Sequence, residues 1–233
     1  MKIAYDKVLD CIDTKTKNTC SVHLIHVQID DIDKRANEMV HTVLDTSWLN
    51  KMDSVERIAF EACSERTIQK FVNEILNNVH GTVDTDFGEI MISDTAQCVL
   101  KSNRNHDVFP LADIIKERVS GNGGFDFHSE SPSNIANYGE AKYSGCSTRY
   151  SDALKQINEF INDRKDIAEL ITLRSFFSDD ACSNVKKNIK GYTAAFSIHA
   201  NKPKTIFQNA MTSSEFKCLL VYKEVYLIGV EVL

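Results

Sequence analysis

The chain has no hydrophobic run long enough to cross a membrane and no paired cysteine motif. Within its 233 residues, no apolar stretch approaches the roughly 18 residues that a membrane-spanning helix needs. The start of the chain has no apolar stretch followed by a cleavage site, so secretion is not expected. The seven cysteines include no Cys-x-x-Cys pair. This odd number disfavours a zinc site or a disulfide framework and fits a reducing cytoplasm.

Net positive charge is also lacking. The chain carries 27 Lys and Arg residues against 33 Asp and Glu residues, a formal net charge of −6. It therefore has no overall positive field that would collect nucleic acid, which argues against tight non-specific DNA binding by this chain alone. A nuclease is still allowed, because an acidic metal site adds negative charge and a partner can supply the grip on DNA.

The residues that are present predict a globular α/β or α+β fold around a mixed sheet. Helices are expected from apolar residues at helical spacing, and strands from β-branched residues and from turn signals. The predicted helices cover residues 31–44, 54–80, 84–101, 111–118 and 150–162, with a further helical start at 167. Asp30 or Asp31 is expected to cap the first helix, and Thr85 or Asp86 the third. The second helix is expected to break near residues 63–64 and to end at Gly81, and residues 120–124 are expected to form a loop. The predicted strands cover 20–29, 125–129, 136–143 and 192–200, and two strands are expected within 216–232. Residues 1–83 form a mainly helical region with one early strand, joined to a core of 84–233 in one compact unit.

Asp126, Glu140 and Lys142 form the most informative chemical pattern. Asp126 begins a predicted β-hairpin, and the sequence Glu-Ala-Lys stands 14 residues later on the returning strand. Side chains at i and i+2 of a strand share one face, so Glu140 and Lys142 are expected together while Ala141 points into the core. Asp126 is expected to face Glu140 across the hairpin. Two neighbouring carboxylates repel each other unless a cation lies between them.

A divalent metal explains this pattern chemically. Mg²⁺ takes oxygen ligands and keeps several waters, so two carboxylates and the Ala141 backbone carbonyl are sufficient protein ligands. The metal would activate a water and neutralise charge on a phosphate, while Lys142 reaches the same water or the phosphate. The simpler alternative is a salt-bridged hairpin surface. Tyr138 and Tyr143 predict a buried strand, where a Glu and a Lys on one face would be costly without a function.

The pattern resembles the PD-(D/E)XK nuclease superfamily, in which an Asp, a Glu and a Lys around a hairpin form the active site. Phe125 stands where the superfamily often has Pro, at a position that varies. More narrowly, three segments resemble HamA, the nuclease component of the Hachiman anti-phage defence system. These are Asp86-Phe-Gly-Glu89, Gly124-Phe-Asp126 and Tyr138-Gly-Glu-Ala-Lys142 with the following helix. The resemblance covers about residues 20–165, and the C-terminal third has no matching signature.

The resemblance implies a restriction-endonuclease-like mixed sheet flanked by helices and an Mg²⁺-dependent DNA nuclease, with Mn²⁺ as a possible substitute. It implies a superfamily 2 helicase partner, HamB-like, and neither a membrane partner nor a small-molecule cofactor. Glu89 would add a helix carboxylate beside the metal, and Gln156 would be a helix glutamine near the site. His128, two residues after Asp126, is an accessory candidate. The simpler interpretations are solvent-facing helix residues for Glu89 and Gln156 and a hairpin-surface histidine for His128.

Two other functions fit the same residues. The fold could be a non-catalytic scaffold that binds a helicase or a nucleic-acid end, although all three core residues are present. A nuclease toxin that acts on RNA is the third hypothesis.

Overall fold

The structure, a computed structural model, describes residues 1–78, 83–116, 123–200 and 202–233, with the side chains of 74–78 left out. Within these residues the strands are β1 (Lys2–Ile12), β2 (Thr19–Ile29), β3 (Asp107–Val108), β4 (Phe127–Glu130), β5 (Ala136–Lys142), β6 (Gly191–Ser197) and β7 (Glu224–Val232). The α-helices are α1 (Ile32–Leu44), α2 (Ser54–Asn78), α3 (Thr85–Arg104), α4 (Ala112–Ile115), α5 (Tyr150–Asn162), α6 (Lys165–Ala168), α7 (Leu170–Leu173), α8 (Asp179–Lys186), α9 (Pro203–Thr212) and α10 (Ser214–Leu219), and a 3₁₀ turn covers Ser47–Lys51.

The strands form one seven-stranded mixed sheet in the order β1-β2-β7-β6-β5-β4-β3. The four central strands, β2, β7, β6 and β5, run parallel to one another, while β1 pairs antiparallel with β2, and β4 pairs antiparallel with β5 and β3. The carboxyl ends of the central strands therefore meet along one edge of the sheet. This confirms the predicted mixed sheet flanked by helices. In the described parts of the chain, no helix combines the length and apolar character needed to span a membrane.

The two faces of the sheet carry two separate hydrophobic cores. On β5, Tyr138 belongs to the core that contains the apolar face of α5, including Leu154 and Ile157. Ala141, three residues later, belongs to the opposite core, with Met91 of α3. This alternation is the period-two geometry of a strand, and it confirms the prediction that Ala141 points into the core. The α3 and α5 helices thus cover opposite faces of β5, the strand that carries Glu140 and Lys142.

The prediction of a single early strand missed β1. This strand lies at the edge of the sheet and pairs only with β2. It carries Lys2, Asp6, Lys7 and Asp10, and its residues are at most half-buried. Charged side chains are typical of an edge strand, because they discourage pairing with other chains. The same charges weaken the alternation by which a strand is recognised in a sequence.

The prediction of two strands within residues 216–232 was wrong. Only β7 is a strand, and the segment before it is the helix α10. The Ser213 hydroxyl caps this helix by accepting a hydrogen bond of 3.2 Å from the Phe216 N–H, as Ser commonly does at a helix start. Phe216 and Leu219 are both buried and lie three residues apart, which is a helical spacing. The β-forming residues around them favoured a strand in the sequence.

Helix boundaries were otherwise close to their predicted positions. Asp31, one of the two expected caps, caps α1, and α5 has the predicted bounds. The cap of α3 is Asp84 and not Thr85 or Asp86, with a 2.8 Å bond from the Phe87 N–H. The α2 helix continues without the predicted break at 63–64. The predicted helix end at residue 81 and most of the predicted loop at 120–124 lie outside the described residues.

Gly139 is required by the packing directly before Glu140. A Cβ at Gly139 would overlap the ring of Phe127, its partner in the β4–β5 register. Phe127 is buried and has little room to move. Gly139→Ala should therefore lower the free energy of unfolding by about 1–3 kcal/mol, the usual cost of overpacking. Urea denaturation of both proteins measures this difference.

Gly145→Ala is the matched control, because a Cβ there would meet only the Tyr143 hydroxyl at 3.7 Å, an ordinary contact. Equal unfolding midpoints for the two variants would contradict the proposed packing constraint at Gly139.

Candidate active site

Asp126 lies where the pairing of β4 with β5 ends. The register ends at Phe127 and Gly139, and the Asp126 N–H donates to the Gly139 carbonyl at 2.9 Å. The Asp126 carboxylate then accepts a hydrogen bond from the Ala141 N–H at 2.8 Å, in the place where a backbone carbonyl of β4 would accept it if the pairing continued. The backbone carbonyl of Asp126 accepts a hydrogen bond from the Ala112 N–H at 2.9 Å. These three bonds fix the position of Asp126 at the edge of β5, just outside the strand in which it was predicted.

Glu140 and Lys142 lie together, as their spacing predicts. Glu140 is only 1% exposed, and its Oε1 is 2.8 Å from Lys142 Nζ. Lys142 Nζ is also 3.6 Å from Glu89 Oε1 on α3. The fold therefore brings Glu89 to the Glu-Ala-Lys segment across about 50 residues of chain. The Glu89 side chain is 34% exposed and contacts Lys142, and its role beside a metal stays a prediction.

The carboxylates repel each other electrostatically. Burial, and next the negative charge of Asp126, raise the pKa of Glu140 well above its usual value, and Lys142 opposes the rise. For Lys142, burial acts to lower the pKa, but Glu140, Asp126 and Glu89 outweigh it and raise the pKa above the ordinary lysine value. Lys142 is accordingly a stable cation, while the charged form of Glu140 is disfavoured by its surroundings.

One oxygen of Glu140 has no partner. Glu140 Oε2 is fully buried and receives no hydrogen bond, a condition that is costly for a charged group in a protein interior. A divalent cation would satisfy it and would also offset the repulsion from Asp126. The donor set of carboxylate oxygens suits Mg²⁺ or Mn²⁺, which are hard cations.

The Ala141 carbonyl offers a third oxygen. Because the N–H and C=O of a strand residue point toward the same neighbouring strand, this carbonyl faces the side of β5 from which Asp126 accepts the Ala141 N–H. In the part of the chain that the structure describes, no group of three or more His, Cys, Asp and Glu side chains is arranged to hold a metal. The smaller set that could hold a cation is the Asp126 and Glu140 carboxylates with the Ala141 carbonyl.

A cleft of about 120 Å³ opens beside Asp126 and Glu89. Two further carboxylates, Asp86 and Asp113, line it, and Lys70 of α2 lies at its wall. The sequence did not identify Asp113 or Lys70 as site residues, because they come from α4 and α2 and only the tertiary fold brings them to β5. Four carboxylates around one small cleft make it a cation-attracting surface.

His128 belongs to a second polar cluster. It is fully buried, and its Nε2 is 2.7 Å from Glu169 Oε2. Burial, and next the charge of Lys116, lower its pKa to about 4, so His128 is neutral at physiological pH. The hairpin-surface interpretation is thus wrong, and the histidine is engaged with Glu169.

Gln156 is half-buried on α5. Among the described residues, no hydrogen bond joins it to Glu140 or Lys142, and its predicted place near the site remains a prediction.

No protein-family model matches this chain, and no curated protein matches it either. Its function therefore has to be argued from the geometry of the site.

Proposed function

We propose that this protein is a metal-dependent nuclease that hydrolyses phosphodiester bonds of DNA, with Mg²⁺ as its metal and Mn²⁺ as a substitute. The observation that carries the proposal is the buried Glu140 carboxylate, which has an oxygen without a partner beside a second carboxylate and a lysine. Burial of such a group is hard to explain as structural, since Lys142 serves only one of its two oxygens.

The roles of the residues follow from their positions. Asp126, Glu140 and the Ala141 carbonyl would hold the metal, which when bound supplies a Lewis acid for the phosphate and a water of lowered pKa. Lys142 stays protonated because its pKa is raised, so it acts as a cation that orients the water and stabilises charge on the phosphate, and not as a base. Glu89 lines the open cleft and can accept a hydrogen bond from the attacking water.

The acidic character of the chain supports the view that it does not work alone. The net charge of −6 and the acidic cleft both repel a phosphate backbone. We propose that it is the effector of a bacterial anti-phage defence system of the Hachiman type, in the cytoplasm, with a superfamily 2 helicase that restrains it and delivers DNA. All seven cysteines are free thiols, a state that is usual in a reducing compartment.

A cleavage assay tests the proposal. The purified chain is incubated with linear duplex DNA, single-stranded DNA and matched RNA, in Mg²⁺, in Mn²⁺ or in EDTA, with and without a helicase encoded beside it. We expect DNA cleavage with either metal, none in EDTA, and recovery when excess Mg²⁺ is added to the EDTA sample. Faster cleavage of RNA would favour the toxin hypothesis. Cleavage of no substrate, or equal cleavage in EDTA, would contradict a metal-dependent nuclease.

A further inference from the structure

Glu169 lies between α6 and α7 and makes contact on both sides of Asp126. Its Oε1 accepts the Phe125 N–H at 3.1 Å, and its Oε2 pairs with His128 Nε2 at 2.7 Å. Asp126 therefore lies between two residues that one carboxylate holds. The side chain of Glu169 is only 9% exposed, so this contact is part of the interior and not a surface ion pair.

The charge of Glu169 is maintained inside the protein. Burial acts to raise its pKa, but the hydrogen bond from His128 and the charge of Lys116 outweigh burial and hold the pKa below the ordinary value. Lys116 Nζ lies 2.6 Å from Glu169 Oε1. Lys116 also interacts electrostatically with Asp126, which joins this second cluster to the candidate active site.

The backbone around Asp126 is shaped to admit Glu169. A Cβ at Gly124 would overlap Glu169 Oε1, so a larger residue at that position would displace the carboxylate. The sequence Gly124-Phe-Asp126 thus combines the close approach of a buried carboxylate with the Asp that is proposed to bind the metal.

We infer that Glu169 is a positioning residue for the metal site, which fixes the segment 125–128 so that the Asp126 carboxylate is held at the edge of β5. The inference rests on the proposed metal site. Groups that orient a metal ligand without touching the metal usually contribute about 10–100-fold to metal affinity. Glu169 would act on metal affinity through Asp126, and not on the phosphate.

Calorimetric titration with Mn²⁺ tests this inference on the full chain. Glu169→Ala should weaken Mn²⁺ binding by about 10–100-fold, and raising the Mn²⁺ concentration should restore most of the cleavage rate. Recovery at high metal separates weaker binding from a loss of the catalytic groups themselves. Glu169→Gln keeps the shape of the side chain and provides a second reading if the alanine variant does not fold, with a smaller loss of affinity expected.

Asp166→Asn is the matched control. Asp166 is also buried and lies three residues before Glu169, but it hydrogen-bonds to Lys190 and Tyr192 and not to Phe125 or His128. It should lower stability and leave Mn²⁺ affinity within about twofold, well below the loss expected for a positioning group.

Three outcomes separate the hypotheses. Weaker Mn²⁺ binding in the Glu169 variants but not in Asp166→Asn supports the inference. Unchanged Mn²⁺ affinity in folded Glu169→Gln and Glu169→Ala overturns it and leaves the metal site standing. The proposed function fails if the unmodified protein does not bind Mn²⁺, or if Asp126→Asn binds Mn²⁺ as tightly as the unmodified protein does. In either case the inference about Glu169 fails with it.

Discussion

Replacing Lys142 by alanine is expected to reduce metal-dependent DNA cleavage by at least about 10²–10³-fold, the loss typical when one charge-stabilising group is removed from a preorganised site. Lys142 provides the positive charge beside Glu140, at 2.8 Å, and it faces Glu89 at the cleft. Its removal takes away the cation that would orient the water and stabilise charge on the phosphate. Single-turnover cleavage of a labelled DNA fragment, at saturating Mg²⁺, measures the effect.

The same variant distinguishes an enzyme from a scaffold. Lys142 is partly exposed at the end of β5, so the fold and the binding of a partner should persist in Lys142→Ala. Lys155→Ala is the control, since Lys155 is an exposed lysine of α5 in an ion pair with Glu159. The Lys155→Ala protein should cleave DNA at the unmodified rate. If Lys142→Ala protects cells as well as the unmodified protein does, the chain works as a scaffold and the enzymatic proposal fails.

Replacing Glu140 by glutamine is expected to abolish the stabilisation that Mg²⁺ gives to the protein. A ligand that binds only the folded state adds about 2.7 kcal/mol at 100 times its Kd, or about 5–10 °C in Tm for a chain of this size. Glu140→Gln loses a metal-binding oxygen, so its Tm should not change with Mg²⁺. In the absence of metal the variant should instead be more stable than the unmodified protein, because it removes a buried charge that Asp126 repels.

The pH dependence of this effect has a definite sign. The folded-state pKa of Glu140 is raised, so the metal-free folded protein holds this proton more tightly than the unfolded chain does. Its free energy of unfolding therefore falls as pH rises from the ordinary carboxyl pKa through the folded-state pKa. Metal binding requires the deprotonated carboxylate, so Mg²⁺ affinity should rise over the same range. Thermal melts from pH 5 to 8, with and without Mg²⁺, measure both trends.

Glu224→Gln is the control for these melts. Glu224 is also a buried carboxylate with a pKa raised by burial, but its two oxygens accept hydrogen bonds from Ser131 and Tyr226. Its substitution should leave the Mg²⁺ effect unchanged. An Mg²⁺-induced increase in Tm that survives in Glu140→Gln would place the metal elsewhere in the protein.

The part of the site that the sequence predicted is the part that is local in the chain. The spacing of Glu140 and Lys142 places both on one strand, and the turn before it predicts the hairpin. The spacing of the apolar residues of α5 predicted the first and last residues of that helix correctly. These features depend on periods of two and 3.6 residues, which a sequence contains directly.

Contacts between distant segments were beyond such patterns. Glu169 lies in a stretch whose pattern favoured only a helical start, with no signal that it reaches Phe125 and His128. Asp113 and Lys70 likewise reach the cleft through packing alone. The segment that forms α10 was predicted as a strand because the residues around Phe216 and Leu219 are typical of strands. The three-residue spacing of Phe216 and Leu219 was the signal for a helix.

The Asp126 carboxylate has two duties, since it completes the edge of β5 through the Ala141 N–H and is also expected to bind metal. An inactivating change at Asp126 would therefore leave a strand amide without its acceptor, whereas Lys142 has no such duty toward the backbone among the contacts described. If the proposed nuclease activity were lost in evolution and the fold were kept, Lys142 would be expected to change first and Asp126 last, because only Asp126 also supports the backbone of β5.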